Sequence, residues 1–422
     1  MEAAADAGGV LEVVVFPWLA FGHMLSFLEL SKRLAARGHA VTFVSTPRNL
    51  ARLPTVPPHL SPRLRFVPLP LPRVDGLPDG AESTADVPPE KIELVKKAMD
   101  GLAAPLAAFL ADAVAAGRRP DWIVHDFCHH WVPPIAGEHG VPCAAFMTVY
   151  AAFVVFLGPR WANVEHPRAV PRGHLPELRR GRARMFALLT DLFQQPAIPA
   201  GILLPPVIAD EDGDRPEILR WLDDQPPKSV IYVALGSEAP LTPGILHELA
   251  LAGVRFLWAL RRPSGMFSAA IDAVTDDDLL PAGFEERTRG RGLVRTGWVP
   301  QVVALAHGAT GAFLTHCGWG STIESFASGH PLVMLPFVLD QPLVARAMAE
   351  KGVGVEVARD ETDGSFDRDG VAAAVRRVMV DEEGKALASN AMKLREVLTD
   401  QGRQETYIDD LVEHLRRYRG CC

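Results

Sequence analysis

Residues 298–341 read WVPQVVALAHGATGAFLTHCGWGSTIESFASGHPLVMLPFVLDQ, and the middle of that stretch decides the fold. Residues 311–314 form a short apolar run with strand character. The run passes through His316-Cys317-Gly318-Trp319-Gly320 into a helical pattern over 321–328, and 332–335 reads as the next strand. Strand, crossover helix and strand make a parallel βαβ unit. A glycine-containing turn that opens a helix gathers uncommitted amides at the positive end of the helix dipole, which suits phosphate. His316 and the hydroxyl of Ser321 can add donors to such an anion. A partial G-x-G is a weak signal by itself, and an ordinary strand-to-helix turn is the plainer reading.

Working outward, the alternation continues. Strands are expected over 230–235 and 256–260, with a helix near 245–251. The N-terminal third repeats it, with strands over 13–16, 40–45, 64–68 and 122–124. A helix over 26–37 presents Phe27, Leu30 and Leu34 on one face and stops at Gly38; another covers 105–116. Residues 68–89, rich in Pro, Gly and Asp, read as a long surface loop of the functional or mobile kind. The polar run IADEDGDR at 208–215 reads as a linker. The pattern predicts two Rossmann-like α/β domains with parallel sheets facing each other. The expected boundaries are an N-terminal domain over 1–207, a linker over 208–220 and a second domain over 221–400. A C-terminal helix over 401–422 is expected to pack back on the first domain.

Composition narrows the function. The chain has 422 residues, 48% hydrophobic and 22% charged, as expected of a globular protein with more than one core. A net charge of −8 carries no basic footprint for nucleic acid. Five cysteines without metal-ligand spacing suit a reduced, cytoplasmic setting. The first residues, MEAAADAGG, lack the basic region of a signal peptide, and no run reaches the roughly 18 apolar residues of a membrane span.

In open α/β sheets, ligands bind beyond the carboxyl ends of the strands. His23 falls there, seven residues after the first strand, and Asp126 follows the strand over 122–124 at the same predicted edge. A histidine whose tautomer is fixed by a carboxylate is a general base near neutral pH. Each also has a plain reading: a surface histidine near a helix start, and a loop or cap aspartate. Metal sites are conceivable at Asp210-Glu211-Asp212, at Asp276-Asp277-Asp278 and around Cys128-His129-His130. The acidic runs read better as solvated loops, and adjacent histidines do not point at one centre. A nicotinamide site is disfavoured because no complete G-x-G-x-x-G follows the first strand.

The 44 residues from Trp298 to Gln341, with W-x-P-Q, H-C-G-W and terminal D-Q, closely resemble the donor-binding signature of plant family 1 UDP-glycosyltransferases. FPWLAFGH at 16–23 and PLPRVDGLPDGAESTADVP at 70–88 resemble members that add a sugar to a sugar already on a small molecule, such as steviol-glycoside glucosyltransferases. The resemblance implies a GT-B fold, UDP-sugar as co-substrate, and neither metal nor cofactor. It implies that Trp298 stacks on uracil, that Val299 meets the base through its backbone, and that Gln301 and Glu324 hold the ribose. His316, Ser321 and, from the turn 235–238, Ser237 would contact the diphosphate; Trp319, Asp340 and Gln341 would read the sugar. His23 becomes the base and Asp126 its counter-charge. Trp18, Phe127 and Phe337 are acceptor candidates, with plain core aromatics as the alternative.

Three departures from the family pattern stand out. Gly320 occupies a position usually held by Asn, which removes an amide donor near the phosphates. Ser26 replaces a Pro, and Ser26-Phe27-Leu28-Glu29 reads as a capping box that starts the same helix. The chain is also short in two places, between Gln194 and Ile198, where the family carries another strand and helix, and near Ala250-Leu251. The expected activity is inverting transfer of glucose from UDP-glucose to a hydrophobic plant glycoside by a monomer. The rivals are another donor such as UDP-rhamnose, and a UDP-sugar-binding protein whose catalysis Gly320 impairs.

Overall fold

The computed structural model describes residues 9–159, 182–204, 217–236, 253–260, 280, 283–296, 299–360 and 362–420. The chain divides into two compact units, Met1–Pro205 with Gln401–Cys422, and Pro206–Asp400. Most of the 208–220 stretch, the 245–251 helix, Ala250 and both acidic runs lie outside the described residues. Residues 217–220 are described, and they open the helix Glu217–Asp223.

The first unit holds a parallel sheet of β1 (Glu12–Phe16), β2 (Ala40–Ser45), β3 (Leu64–Pro68), β4 (Trp122–His125) and β5 (Cys143–Ala145), ordered β3-β2-β1-β4-β5. β1 explains why its sequence is a continuous apolar run: it is covered on both faces. Val13 and Val15 pack with Phe27, Leu30 and Leu34 of the helix Phe21–Ala36, and with Ile408, Val412 and Leu415 of the helix Gln401–Arg417. Val14 and Phe16 point the other way, against Leu102, Leu106 and Leu110. The helix Gln401–Arg417 is tied to this unit by polar contacts as well. The Trp122 indole donates to Leu415 O at 2.8 Å, and Arg37 pairs with Asp409 at 2.7 Å.

The second unit holds β6 (Val230–Ala234), β7 (Arg255–Leu260), β8 (Gly292–Thr296), β9 (Thr310–Thr315), β10 (Leu332–Met334) and β11 (Gly354–Glu356), all parallel and ordered β11-β10-β9-β6-β7-β8. Ile231, Val233, Trp258, Leu314 and Val333 pack with Val371, Val375 and Val378 of the helix Arg368–Met379.

Several local expectations change. The first helix begins at Phe21, not at residue 26, after Ala20 in an extended conformation. Ser26 lies inside it and donates to Gly22 O at 3.0 Å, so it bonds back one turn and caps nothing. Glu29, the other half of the expected box, is buried and pairs with Lys32 at 2.7 Å. A helix Ile92–Asp100 precedes Ala103–Ala115. The run Pro89–Ala115 is long and apolar enough to cross a membrane by length and composition, where the sequence suggests no such segment. One side of it, including Val95, Met99, Leu102, Leu106 and Leu110, is buried in the first unit. The 68–89 loop is anchored at one end: Ser83, Thr84 and Asp86 are buried, and Asp86 takes a two-point bond from Arg52 at 2.7 and 3.0 Å.

Candidate active site

β1 and β4 are neighbours in register, with Phe16 opposite His125. Asp126 therefore emerges beside the turn that follows β1. Its Oδ2 accepts from the Trp18 amide at 3.0 Å and from His23 Nδ1 at 2.8 Å, and its Oδ1 accepts from the Phe127 amide at 2.8 Å. The side chain of Asp126 is fully buried, and that of His23 is 19% exposed. Burial works against ionisation of Asp126. The charge and hydrogen bond of His23, with the two amides, outweigh it and hold the carboxyl below its usual range. An ionised carboxylate only accepts, so His23 carries its proton on Nδ1 and base chemistry falls to Nε2. The sequence thus places His23 and Asp126 correctly at one sheet edge, with the histidine in the first turn of its helix.

Thr148 was not foreseen. Its Oγ1 lies 2.8 Å from His23 Nδ1, so it shares the proton with Asp126. It follows β5, the strand next to β4, and the strand-end rule would have found it. A three-residue, partly exposed strand left no periodicity to read. Of the aromatic candidates, Phe127 is 54% exposed with its ring 5.7 Å from that of His23, whereas Trp18 is buried. Phe337 packs on the core of the second unit and against Phe366 and Arg359, which leaves it little surface for an acceptor.

His129 is buried, stacked on Phe16 at 4.7 Å, and accepts the Asp126 amide on Nδ1 at 3.2 Å. Burial pulls its pKa down to about 3, so it is a neutral packing residue. Burial raises the Cys128 thiol instead, which makes it unreactive.

In the second unit the candidates collect at the carboxyl ends of β8, β9 and β10. Gln301 opens the helix Gln301–Ala306, and its Nε2 donates to Glu324 Oε2 at 2.6 Å and to Ser321 Oγ at 3.1 Å. Gln301 thus bridges to two side chains one turn apart on the helix Trp319–Ala327. Burial raises the Glu324 carboxyl, and the Gln301 bond only partly offsets that. The helix Trp319–Ala327 starts at Gly318, which makes no side-chain cap. Val299 is buried just before Gln301. Ser237 and Trp298 lie outside the described residues.

Glycines shape this turn. β6 and β9 are paired, with Ala234 opposite Thr315. Gly236, at φ +80°, leaves room for the His316 ring: a Cβ there would lie 2.7 Å from Nε2, and one on Gly318 would lie closer still. Cys317 between them is buried with φ +68°. Around Gly320, by contrast, an added Cβ meets nothing within 4 Å. The turn after β10 carries Asp340 and Gln341, both buried. Gln341 Oε1 accepts from the amides of Phe337 at 2.8 Å and Val338 at 3.0 Å, so this side chain has its amide hydrogens left to offer a ligand.

Comparison with known proteins agrees over the whole chain. Residues 230–417 match the family described as UDP-glucoronosyl and UDP-glucosyl transferase, and residues 10–149 match the glycosyltransferase N-terminal domain. UDP-glycosyltransferase 91D1 of Stevia rebaudiana is 38% identical over 472 aligned positions, covering 99% of this chain and 94% of that protein. Those 472 positions exceed the 422 residues here, so the relative carries segments that this chain lacks. Soyasaponin III rhamnosyltransferase of Glycine max is 37% identical, covering 97% of this chain and 96% of that protein. Among solved structures, a Polygonum tinctorium UDP-glucosyltransferase capable of glucosylating indoxyl superposes with a TM-score of 0.74 at 25% identity, covering 97% of this chain and 99% of that one.

Proposed function

Given that the chain belongs to the plant family 1 UDP-glycosyltransferases, glycosyltransferase enzymes of the GT-B fold, we propose that it transfers glucose from UDP-glucose to a sugar hydroxyl of a small hydrophobic plant glycoside. The acceptor is of the diterpenoid or flavonoid type and the linkage 1→2-like. The observation that carries the reading is the 2.8 Å bond between His23 Nδ1 and the buried Asp126 carboxylate. It fixes the tautomer in which Nε2 accepts the proton of the acceptor hydroxyl. As that oxygen attacks the anomeric carbon, the bond to the UDP oxygen breaks and its electron pair leaves with UDP. Attack comes from the face opposite UDP, so configuration inverts. Asp126 stabilises the imidazolium that forms. On the donor, Gln301 and Glu324 hold the ribose, and His316, Ser321 and the amides at the start of the helix Trp319–Ala327 take the diphosphate. Trp319, Asp340 and Gln341 read the sugar.

The resemblance of FPWLAFGH and of the 70–88 segment to glycoside-branching members supports a sugar as the acceptor group. A second donor, UDP-rhamnose, is favoured by the 37% identity to a protein named as a rhamnosyltransferase. A screen of UDP-glucose and UDP-rhamnose against plant glycosides and their aglycones, with the product linkage read by NMR, tests the proposal. Glucosylated glycosides are expected. Products from aglycones alone would overturn the sugar-on-sugar reading, and faster turnover of UDP-rhamnose would exchange the donor.

A further inference from the structure

Asp126 is held by its main chain as well as by its carboxylate. Its carbonyl accepts from His125 Nδ1 at 2.8 Å, and its amide donates to His129 Nδ1 at 3.2 Å. A carbonyl only accepts and an amide only donates, so the two imidazoles take opposite tautomers. His125 carries a proton on Nδ1, whereas His129 leaves Nδ1 bare and carries its proton on Nε2. The peptide groups on either side of the Asp126 Cα are thus each gripped by one imidazole, within the run His125-Asp126-Phe127-Cys128-His129.

His129 packs against Phe16 and Trp131, with ring centroids 4.7 and 5.7 Å away, but packing does not account for an imidazole. It is fully buried, and its Nε2 has no hydrogen-bond partner among the described residues. A buried N–H without a partner works against folding, and a phenyl ring would fill the same place without that cost. What a phenyl ring lacks is an acceptor for the Asp126 amide. Asp126 is itself fully buried, so bulk water does not stand in for that acceptor. Burial pulls the His129 pKa down to about 3, which keeps Nδ1 an acceptor at neutral pH. With its amide and carbonyl both fixed, Asp126 presents Oδ2 to His23 Nδ1 at 2.8 Å.

We propose that His129 is a positioning residue for the His23–Asp126 pair: by accepting the Asp126 amide it fixes the direction from which the carboxylate meets His23. This inference rests on His23 serving as the base, and two substitutions separate positioning from packing. In His129→Asn, Oδ1 falls close to the place of Nδ1, so the acceptor stays while the stacking on Phe16 is lost. In His129→Phe the ring stays and the acceptor is lost. Packing alone would make Phe the milder change in every measurement. Positioning reverses that order for catalysis. In His129→Phe, kcat should fall about 10- to 100-fold, with the glycoside KM and the Kd of UDP little changed and the melting temperature level. His129→Asn should melt about 5 °C lower and keep most of its kcat. A His129→Phe enzyme as fast as wild type, or no slower than His129→Asn, overturns the inference. If the wild-type protein transfers to no glycoside, the functional proposal fails separately. The His23 tautomer then decides, read by NMR on isotope-labelled histidine with the His23 signals identified by their loss in His23→Ala. The Nδ1–H form should hold in wild type and His129→Asn and give way to a mixture with the Nε2–H form in His129→Phe. One tautomer throughout all three proteins sinks the inference.

Discussion

In the first unit a single buried carboxylate does the arranging. Asp126 collects the Trp18 and Phe127 amides and the His23 ring, and through them sets where the imidazole stands and which nitrogen carries the proton. In the second unit the arranging is done by side chains that are absent: His316 fits because Gly236 and Gly318 have no Cβ. The first device is electrostatic and tunes a pKa; the second is steric and tunes a shape. They should therefore fail in different observables.

Removing the base is expected to have the largest effect. General base catalysis contributes roughly 10²–10⁴-fold, about 3–5 kcal/mol of barrier. His23→Ala should lose that factor in kcat while UDP binding, measured by calorimetry, stays near wild type. Asp126→Asn should lose most of it too, because the amide can no longer compensate the imidazolium. A His23→Ala enzyme with its normal rate would break the electrostatic half of the comparison.

The steric half breaks on Gly318. A methyl there collides with the His316 ring, so Gly318→Ala should weaken UDP binding by about a hundredfold and leave unliganded folding nearly intact. Gly320, two residues on, sits in open space, and the opposite outcome is expected. Gly320→Asn restores an amide donor worth about 1.5–3 kcal/mol when it meets a charged group, so UDP-glucose should bind at least about tenfold tighter. Gly320→Ala separates out helix propensity. Equal affinities of wild type and Gly320→Asn would remove the amide from the account.

The smallest effect is common to both units. His129 in the first and His330 in the second are held neutral by burial, with pKa values near about 3 and about 4 against 6.5 when unfolded. Below 6.5 the unfolded chain takes up protons that the native chain refuses. The stability tied to these neutral rings is complete above pH 6.5 and is lost as the pH falls from there towards the folded values. Each ring adds a slope of about 1.4 kcal/mol per pH unit inside that window. Urea midpoints at pH 7.5, 6.5 and 5.5 check this, and a flat series would contradict it.

What could be read in advance follows from where periodicity exists. β1, β2, β6 and β9 are apolar because they are covered on both faces, so they stand out as runs, and the edge bearing His23 and Asp126 follows from them. β5 is three residues long and partly exposed, so Thr148 was invisible. Ser26 and Glu29 mimic a cap from inside a helix, because spacing alone does not distinguish the first turn from the second. Phe337, an acceptor candidate by sequence, packs against Phe366 and Arg359, and residue identity does not reveal such packing.

The helix Gln401–Arg417 has a consequence in time. Ile408, Val412 and Leu415 complete an apolar layer whose other members include Val13 and Val15, almost at the opposite end of the chain. During synthesis from the N-terminus, the first sheet must wait, with that surface uncovered, until the whole second unit has left the ribosome. A nascent chain of this protein therefore keeps that apolar layer uncovered at least through the synthesis of residues 206–400.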